Sequence, residues 1–441
     1  MAGIIFFKTT HLKLISDFYQ QYLGMGLWLD QGQCKIFESG NLRLGFCAAE
    51  QAETSGTITF YYPSIAEVDK AYTRLTRIAT SQPMQNPDFN IYHFWARDPE
   101  GRILEFQHFL PRYQDDQALK ILNPDEHKPR LLLTMLLPEP VMQVLKKDFC
   151  VKANILDRLL SKAELMQGIS DAEALICLLG DTISTDVLEA APNLKVISNY
   201  AVGYNNIDLE AAKSRNIAVC NTPGVLTEST ADLTWALIMA TTRRIVASDI
   251  FTREGHFTGW KPLLFLGKDV HERKLGIIGM GRIGQAVARR ATGFDMKVLY
   301  TSPQPKELPF AAEHLPLDDL LREADIISLH LPLTNDTWHL LGARELDLLK
   351  PGAILINTAR GAIVDEAELI TRLRDQRIFA AGFDVYEHEP DIPQELRELD
   401  NVVLLPHIGS ASIETRTQMG YLAAANAIAI IRNEAAPARI V

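Results

Sequence analysis

The sequence predicts an α/β protein with two doubly wound parallel-sheet domains, preceded by an α+β module of paired βαβββ repeats. Three observations carry this. From residue 129 onward, short apolar runs alternate with amphipathic stretches. A glycine-rich turn joins one of those runs to a helix. Residues 1–110 repeat one pattern twice. At roughly 100–200 residues per domain, a chain of 441 residues has room for several cores.

In the amino-terminal repeat, strand-like GIIFF (3–7) precedes helix-like LKLISDFYQQYLG (12–24). Strand-like TITFYY (57–62) precedes helix-like IAEVDKAYTRLTRI (65–78). Each half closes with a glycine and a strand, Gly40 before NLRLGF and Gly101 before RILEF. The module is expected over 1–112. The polar, proline-containing stretch that follows (111–128) lacks a sustained period, which places a linker over 113–128.

Ten apolar runs then follow: 131–136, 174–179, 195–201, 218–223, 275–280, 297–300, 325–331, 353–358, 379–385 and 402–406. Helix-like segments such as VDEAELITRLRDQ (364–376) separate most of them. Apolar strands alternating with helices mean parallel sheets covered on both faces. Ten strands exceed one small unit, so the long helix-like stretch Leu226 to Arg244 is expected to divide two units. The apolar helix at 413–432 is expected to pack back on the first.

The formal charge of −11 argues against nucleic acid as a partner. The five cysteines (34, 47, 150, 177, 220) are scattered and odd in number, so neither a disulfide framework nor a cysteine metal site is expected. The start, MAGIIFFKTTHL, lacks the charged region of a signal peptide. No apolar run reaches the ~18 residues that span a bilayer. The expectation is therefore a cytoplasmic protein without a membrane partner.

LGIIGMGRIGQAVARR places Gly279, Gly281 and Gly284 in G-x-G-x-x-G spacing between a strand and a helix. That context fits a dinucleotide. Gly279 permits the tight turn, Gly281 lets backbone approach a pyrophosphate, and Gly284 lets helix and strand pack closely. The N–H groups at the helix start, at Arg282 and Ile283, would bind phosphate. The next strand ends in T-S-P-Q-P-K, so Ser302 stands where a carboxylate would hold the ribose 2′-OH of NAD. Lys306 is near enough to attract a 2′-phosphate, unless it is only a solvated surface lysine. This tilts the choice to NADPH, with NADH possible.

Ligands of open parallel sheets bind beyond the carboxyl ends of the strands. Arg360, Glu389 and His407 each follow such an end, in N-T-A-R-G, D-V-Y-E-H-E-P and V-V-L-L-P-H. A permanent cation suits a substrate carboxylate. A histidine beside a carboxylate is a poised general acid, because the carboxylate fixes its tautomer and favours imidazolium. Together they are equipment for hydride transfer to a small 2-keto acid.

Segments SNYAVGYNNID (198–208), NTPGVLTESTADL (221–233), GIIGMGRIGQAVARR (276–290), NTARGAIVDEAEL (357–369), GFDVYEHEP (382–390) and LLPHIGSA (404–411) resemble the D-isomer-specific 2-hydroxyacid dehydrogenases, glyoxylate/hydroxypyruvate reductases above all. The resemblance covers roughly 129–441. It implies that Arg360, Glu389 and His407 form the catalytic trio. Val202 and Gly203 would hold the substrate carboxylate through backbone N–H groups, and Asp384 would contact the nicotinamide carboxamide. It also implies a flavodoxin-like substrate domain over 129–227 and 410–441, a Rossmann nucleotide domain over 228–409, and a homodimer formed through the latter. Ser302 departs from an NAD pattern. A 2-ketogluconate reductase, a phosphite dehydrogenase and a non-enzymatic NAD(H)-sensing protein remain alternatives.

FYQQYLGM (18–25) and FWARDPEGRILEF (94–106) resemble the glyoxalase/bleomycin-resistance/dioxygenase (vicinal oxygen chelate) superfamily. Of that superfamily's metal positions only Glu105 is filled, since Ile4 and Thr57 stand at the first-strand positions. No metal is expected, and a ligand-binding or assembly role is implied.

Overall fold

The computed structural model describes residues 4–39, 42–87, 89–110 and 118–441. Gly40, residues 111–112 of the expected module and residues 113–117 of the expected linker lie outside the described residues. The chain divides into two units, Met1–Asp116 and Gln117–Val441.

Unit one contains the expected repeat. Ile4–Thr9 pairs parallel with Leu42–Ala48, and Thr57–Tyr61 pairs parallel with Ile103–Phe109. Each pair belongs to a four-stranded sheet of the same order: first, fourth, third, second strand of its half. The first helical stretch ends as a turn of π-helix, Phe18–Tyr22, after Leu12–Asp17. Helix Ile65–Leu75 is capped by Ser64 and buries Val68, Ala71 and Leu75 against Phe94 and Phe106. One expectation is overturned. Cys34 and Cys47 form a disulfide, because the antiparallel register of Cys34–Ser39 with Leu42–Ala48 sets them directly opposite each other.

Unit two holds two parallel sheets. In the first, the spatial order is Ala218–Cys220, Val196–Asn199, Ala174–Cys177, Arg130–Leu133, Cys150–Asn154 and Leu119–Ile121. The first five are parallel, with the doubly wound order of flavodoxin-like sheets. Leu119–Ile121 adds an antiparallel edge from inside the expected linker. Its apolar signal is three residues long, too short for periodicity to register. Cys150–Asn154 is absent from the expected runs because Lys152 and Asn154 break its apolar character. Helix Ile413–Ile431 packs on this sheet and against helix Glu139–Asp148, where a Cβ on Gly420 would collide with Val141.

The second sheet runs Glu313–His314, Lys297–Thr301, Lys274–Ile278, Ile326–Leu329, Ile354–Asn357, Ala380–Phe383 and Val402–Leu404, all parallel. Numbered along the chain from Lys274–Ile278, the spatial order is 3-2-1-4-5-6-7, that of a Rossmann sheet. IISL (326–329) and ILIN (354–357) are buried on both faces, which explains their unbroken apolar character. Helix Thr227–Thr242 covers one face. Its Trp235 stacks on Phe294 and donates from Nε1 to the Val287 carbonyl. Among the described residues no helix is long and apolar enough to cross a membrane.

Candidate active site

The order reverses between Lys274–Ile278 and Ile326–Leu329, and the crevice beyond their carboxyl ends is the ligand position of such sheets. Gly279 turns there at φ +100°, and a Cβ on it would lie 2.6 Å from the His330 carbonyl oxygen. A Cβ on Gly284 would collide with the carbonyl oxygen of Gly279. Both glycines are demanded by the protein's own packing. Gly281 is different: a Cβ there would meet nothing within 4 Å. Its smallness serves whatever approaches from outside, as a pyrophosphate would. Helix Arg282–Ala291 starts here, with Arg282 exposed and Ile283 half-buried.

Ser302 follows the second strand. Its hydroxyl donates to the Gln304 carbonyl, and the chain folds back so that the Lys306 N–H donates to the Tyr300 hydroxyl. The Lys306 side chain is exposed.

His407 Nδ1 lies 2.8 Å from Glu389 Oε2. Glu389 Oε1 accepts from the Tyr386 N–H at 3.0 Å, which locks the carboxylate in one orientation. Burial alone would raise the Glu389 pKa. The hydrogen bond and charge of His407, the Tyr386 N–H and the Arg360 cation outweigh it and hold the carboxyl below its ordinary value. His407 takes φ +54°, a left-handed conformation that is uncommon outside glycine. What holds it there is Asp384. That buried carboxylate accepts the N–H groups of Ile408 and Gly409, both at 2.7 Å. Burial pushes the Asp384 pKa up; the two N–H groups and His407 act against this. Asp384 therefore fixes the backbone directly after the histidine.

Arg360 leaves the end of Ile354–Asn357, with its carbonyl held by Asn357 Nδ2 at 2.9 Å. Burial lowers the guanidinium pKa while Glu389 counteracts. A Cβ on Gly203 would collide with Arg360 Nη2, so the 202–203 backbone lies directly against the guanidinium. The Ala201 carbonyl accepts the Thr222 N–H at 2.8 Å. The Val202 carbonyl accepts Asn221 Nδ2 at 2.8 Å, and the Gly203 carbonyl accepts Asn199 Nδ2 at 2.7 Å. In a planar trans peptide the next residue's N–H points opposite to the carbonyl. Each of these N–H groups is thus turned away from the side chain or strand that holds its carbonyl.

The expected site residues of unit two lie at carboxyl ends of strands, in the turns that follow them, in the first turn of helix Arg282–Ala291, or in the 202–203 turn. Asn199 and Asn221 were not singled out from sequence, although both sit inside the quoted segments. In unit one, Glu105 Oε1 is 2.6 Å from His93 Nδ1, and Glu105 Oε2 accepts from Thr59 at 3.0 Å. Sequence reasoning did not find His93 either; it stands twelve residues before Glu105 on the neighbouring strand. No group of three or more His, Cys, Asp or Glu among the described residues could hold a metal.

Residues 235–409 match the model of the D-isomer specific 2-hydroxyacid dehydrogenase NAD binding domain. A glyoxylate reductase of Thermococcus onnurineus is 45% identical over 317 residues, covering 70% of this chain and 95% of that protein. A solved structure from Thermus thermophilus superposes with a TM-score of 0.68 at 44% identity, over 71% of this chain and all of that one. An NADPH-dependent glyoxylate/hydroxypyruvate reductase from Sinorhizobium meliloti, solved with NADP and malonate, gives 0.65 at 32% identity, over 71% of this chain and 97% of that one.

Proposed function

Because the chain belongs to the D-isomer-specific 2-hydroxyacid dehydrogenase family, and is an NAD(P)-dependent oxidoreductase that reduces 2-keto acids, we propose that glyoxylate and hydroxypyruvate are its substrates and NADPH its preferred reductant. The observation that carries the site is the Glu389–His407 pair at 2.8 Å, alongside an arginine laid on the 202–203 backbone.

The nicotinamide, when bound, supplies the hydride for the carbonyl carbon. Arg360 and the N–H groups around Val202 and Gly203 hold the substrate carboxylate. Glu389 engages Nδ1 of His407, so the proton for the nascent alkoxide comes from Nε2. Gly281, Arg282 and Ile283 would hold the pyrophosphate, in the turn that Gly279 and Gly284 make possible. Ser302 and Lys306 admit a 2′-phosphate, since no carboxylate stands at Ser302 to repel it. Asp384 acts through the 407–409 backbone as well as toward the carboxamide. Assays with NADPH and NADH against glyoxylate, hydroxypyruvate, pyruvate and 2-ketogluconate test this. Highest kcat/KM with 2-ketogluconate, or no turnover of any, would overturn it.

We assign 129–227 and 410–441 to substrate binding and 228–409 to the nucleotide, with the Leu119–Ile121 strand joined to the former. A homodimer through the nucleotide domain fits the apolar side chains that Ile245, Ile250, Phe257, Trp260 and Leu263 expose there. A monomer by light scattering would refute it. The cytoplasm is the proposed location. The amino-terminal unit is read as a vicinal-oxygen-chelate-like module that binds a small molecule or another copy and takes no part in the redox step.

A further inference from the structure

In the turn carrying Val202 and Gly203, Asn221 holds the Val202 carbonyl and Asn199 holds that of Gly203. Asn199 ends the strand Val196–Asn199 and is fully buried. Its Nδ2 donates to the Gly203 carbonyl at 2.7 Å and to Asn206 Oδ1 at 3.2 Å. Its Oδ1 accepts from the Cys177 thiol at 3.4 Å, on the adjacent strand. Asn206 donates in turn to the carbonyls of Leu178 and Asp181, both at 3.0 Å. Asp181 accepts from Thr134, at the end of a third strand. The amide of Asn199 thus links the substrate turn to the ends of three neighbouring strands.

A buried amide is tolerated where its hydrogen bonds are made. Here both donated bonds go to the turn, at Gly203 and Asn206, and none to the regular sheet ladder. With the Gly203 carbonyl drawn inward, planarity turns the following N–H outward. The Gly203 backbone also has no freedom to shift toward Arg360, because Nη2 already occupies the space a Cβ would need. The spacing between the backbone donors and the guanidinium therefore depends on where Asn199 holds Gly203.

We propose that Asn199 is a positioning residue for the substrate's carboxylate. It sets the distance between the 202–204 backbone donors and the Arg360 fork, and touches neither substrate nor cofactor itself. This rests on the reading of Arg360 and the 202–203 turn as the carboxylate site.

The test is steady-state reduction of glyoxylate by the full-length enzyme carrying Asn199→Ala, with Arg360→Ala alongside. Loss of the carbonyl's partner is expected to raise the glyoxylate KM about tenfold, the scale of one misaligned hydrogen bond. The kcat should change less than about threefold, well under that factor, and the NADPH Kd should not move. Competitive inhibition by malonate should weaken by the same factor as KM rises. A glyoxylate KM close to that of the parent, or a kcat loss larger than the KM change, overturns the proposal. Asn199→Ser, which keeps a hydroxyl but falls short of Gly203, is measured if Asn199→Ala does not fold. Failure of both to fold also overturns it, since the residue's role is then stability alone. If Arg360→Ala raises KM while Asn199→Ala does not, only the positioning proposal falls. If Arg360→Ala leaves keto-acid binding unchanged, the carboxylate site itself has been misread.

Discussion

Replacing Glu389 with glutamine removes one charge and almost no volume. The parent carboxylate sits with Oε2 2.8 Å from His407 Nδ1 and Oε1 under the Tyr386 N–H. The Glu389 carboxyl is held below its ordinary range, so it is ionised wherever the enzyme works. An ionised carboxylate at that distance attracts a positive charge on the imidazole. Two unit charges ~4 Å apart at an effective dielectric of about 20 interact by about 4 kcal/mol. The side chains of His407 and Glu389 are 32% and 37% exposed, so solvent screening cuts this to roughly 1 kcal/mol. At about 1.36 kcal/mol per factor of ten, that is roughly fivefold in rate. The sign follows from the direction of the reaction. In the proposed mechanism keto-acid reduction draws a proton from His407, and the carboxylate supports the charged donor. Glu389→Gln should therefore lower kcat/KM for glyoxylate by roughly fivefold. In the parent the pairing is present while Glu389 is ionised and is lost as pH falls through its depressed folded pKa. The assay is kcat/KM for glyoxylate with saturating NADPH, parent against variant. A kcat/KM equal to the parent's would remove Glu389 from this role.

Three further outcomes are expected. His407→Ala should lower kcat by about 10²–10⁴-fold, the range for a lost general acid, with NADPH affinity retained in a fluorescence titration; near-parental turnover would sink the mechanism. Ser302→Asp should reverse the cofactor order by accepting the ribose 2′-OH and repelling a 2′-phosphate, read as the ratio of kcat/KM for NADPH and NADH; a strong NADH preference in the parent would show that one missing carboxylate does not decide the choice. A chain of residues 118–441 should fold and reduce keto acids at near full rate, whereas starting at 129 should cost stability, because Ala118 is buried and Leu119–Ile121 pairs with Cys150–Asn154. A folded 118–441 chain that binds NADPH without turnover would give the amino-terminal unit a part in the chemistry.

The sequence by itself determined the elements whose cause is local. Continuous apolar runs such as IISL and ILIN mark strands buried on both faces, because a parallel sheet covered by helices has no wet side. The glycine spacing marked the nucleotide turn, since backbone conformation and close approach are written in single residues. The positions of Arg360, Glu389 and His407 after strand ends were legible because strand ends are legible. What depended on neighbours in space was not legible. The left-handed backbone at His407 is held by Asp384, twenty-three positions earlier in the chain, just past the end of the adjacent strand. The buried amide of Asn199 looks from sequence like any polar residue at a strand end. His93 and Glu105 meet only because their strands pair, and Cys34 and Cys47 bond only because their register places them opposite. Leu119–Ile121 is a strand because Cys150–Asn154 offers it an open edge. Periodicity reports the backbone period of a segment and the side of it that is buried. Which segment lies alongside, and in what register, is set by the packing of the whole sheet, and these hydrogen bonds exist only once that packing is made.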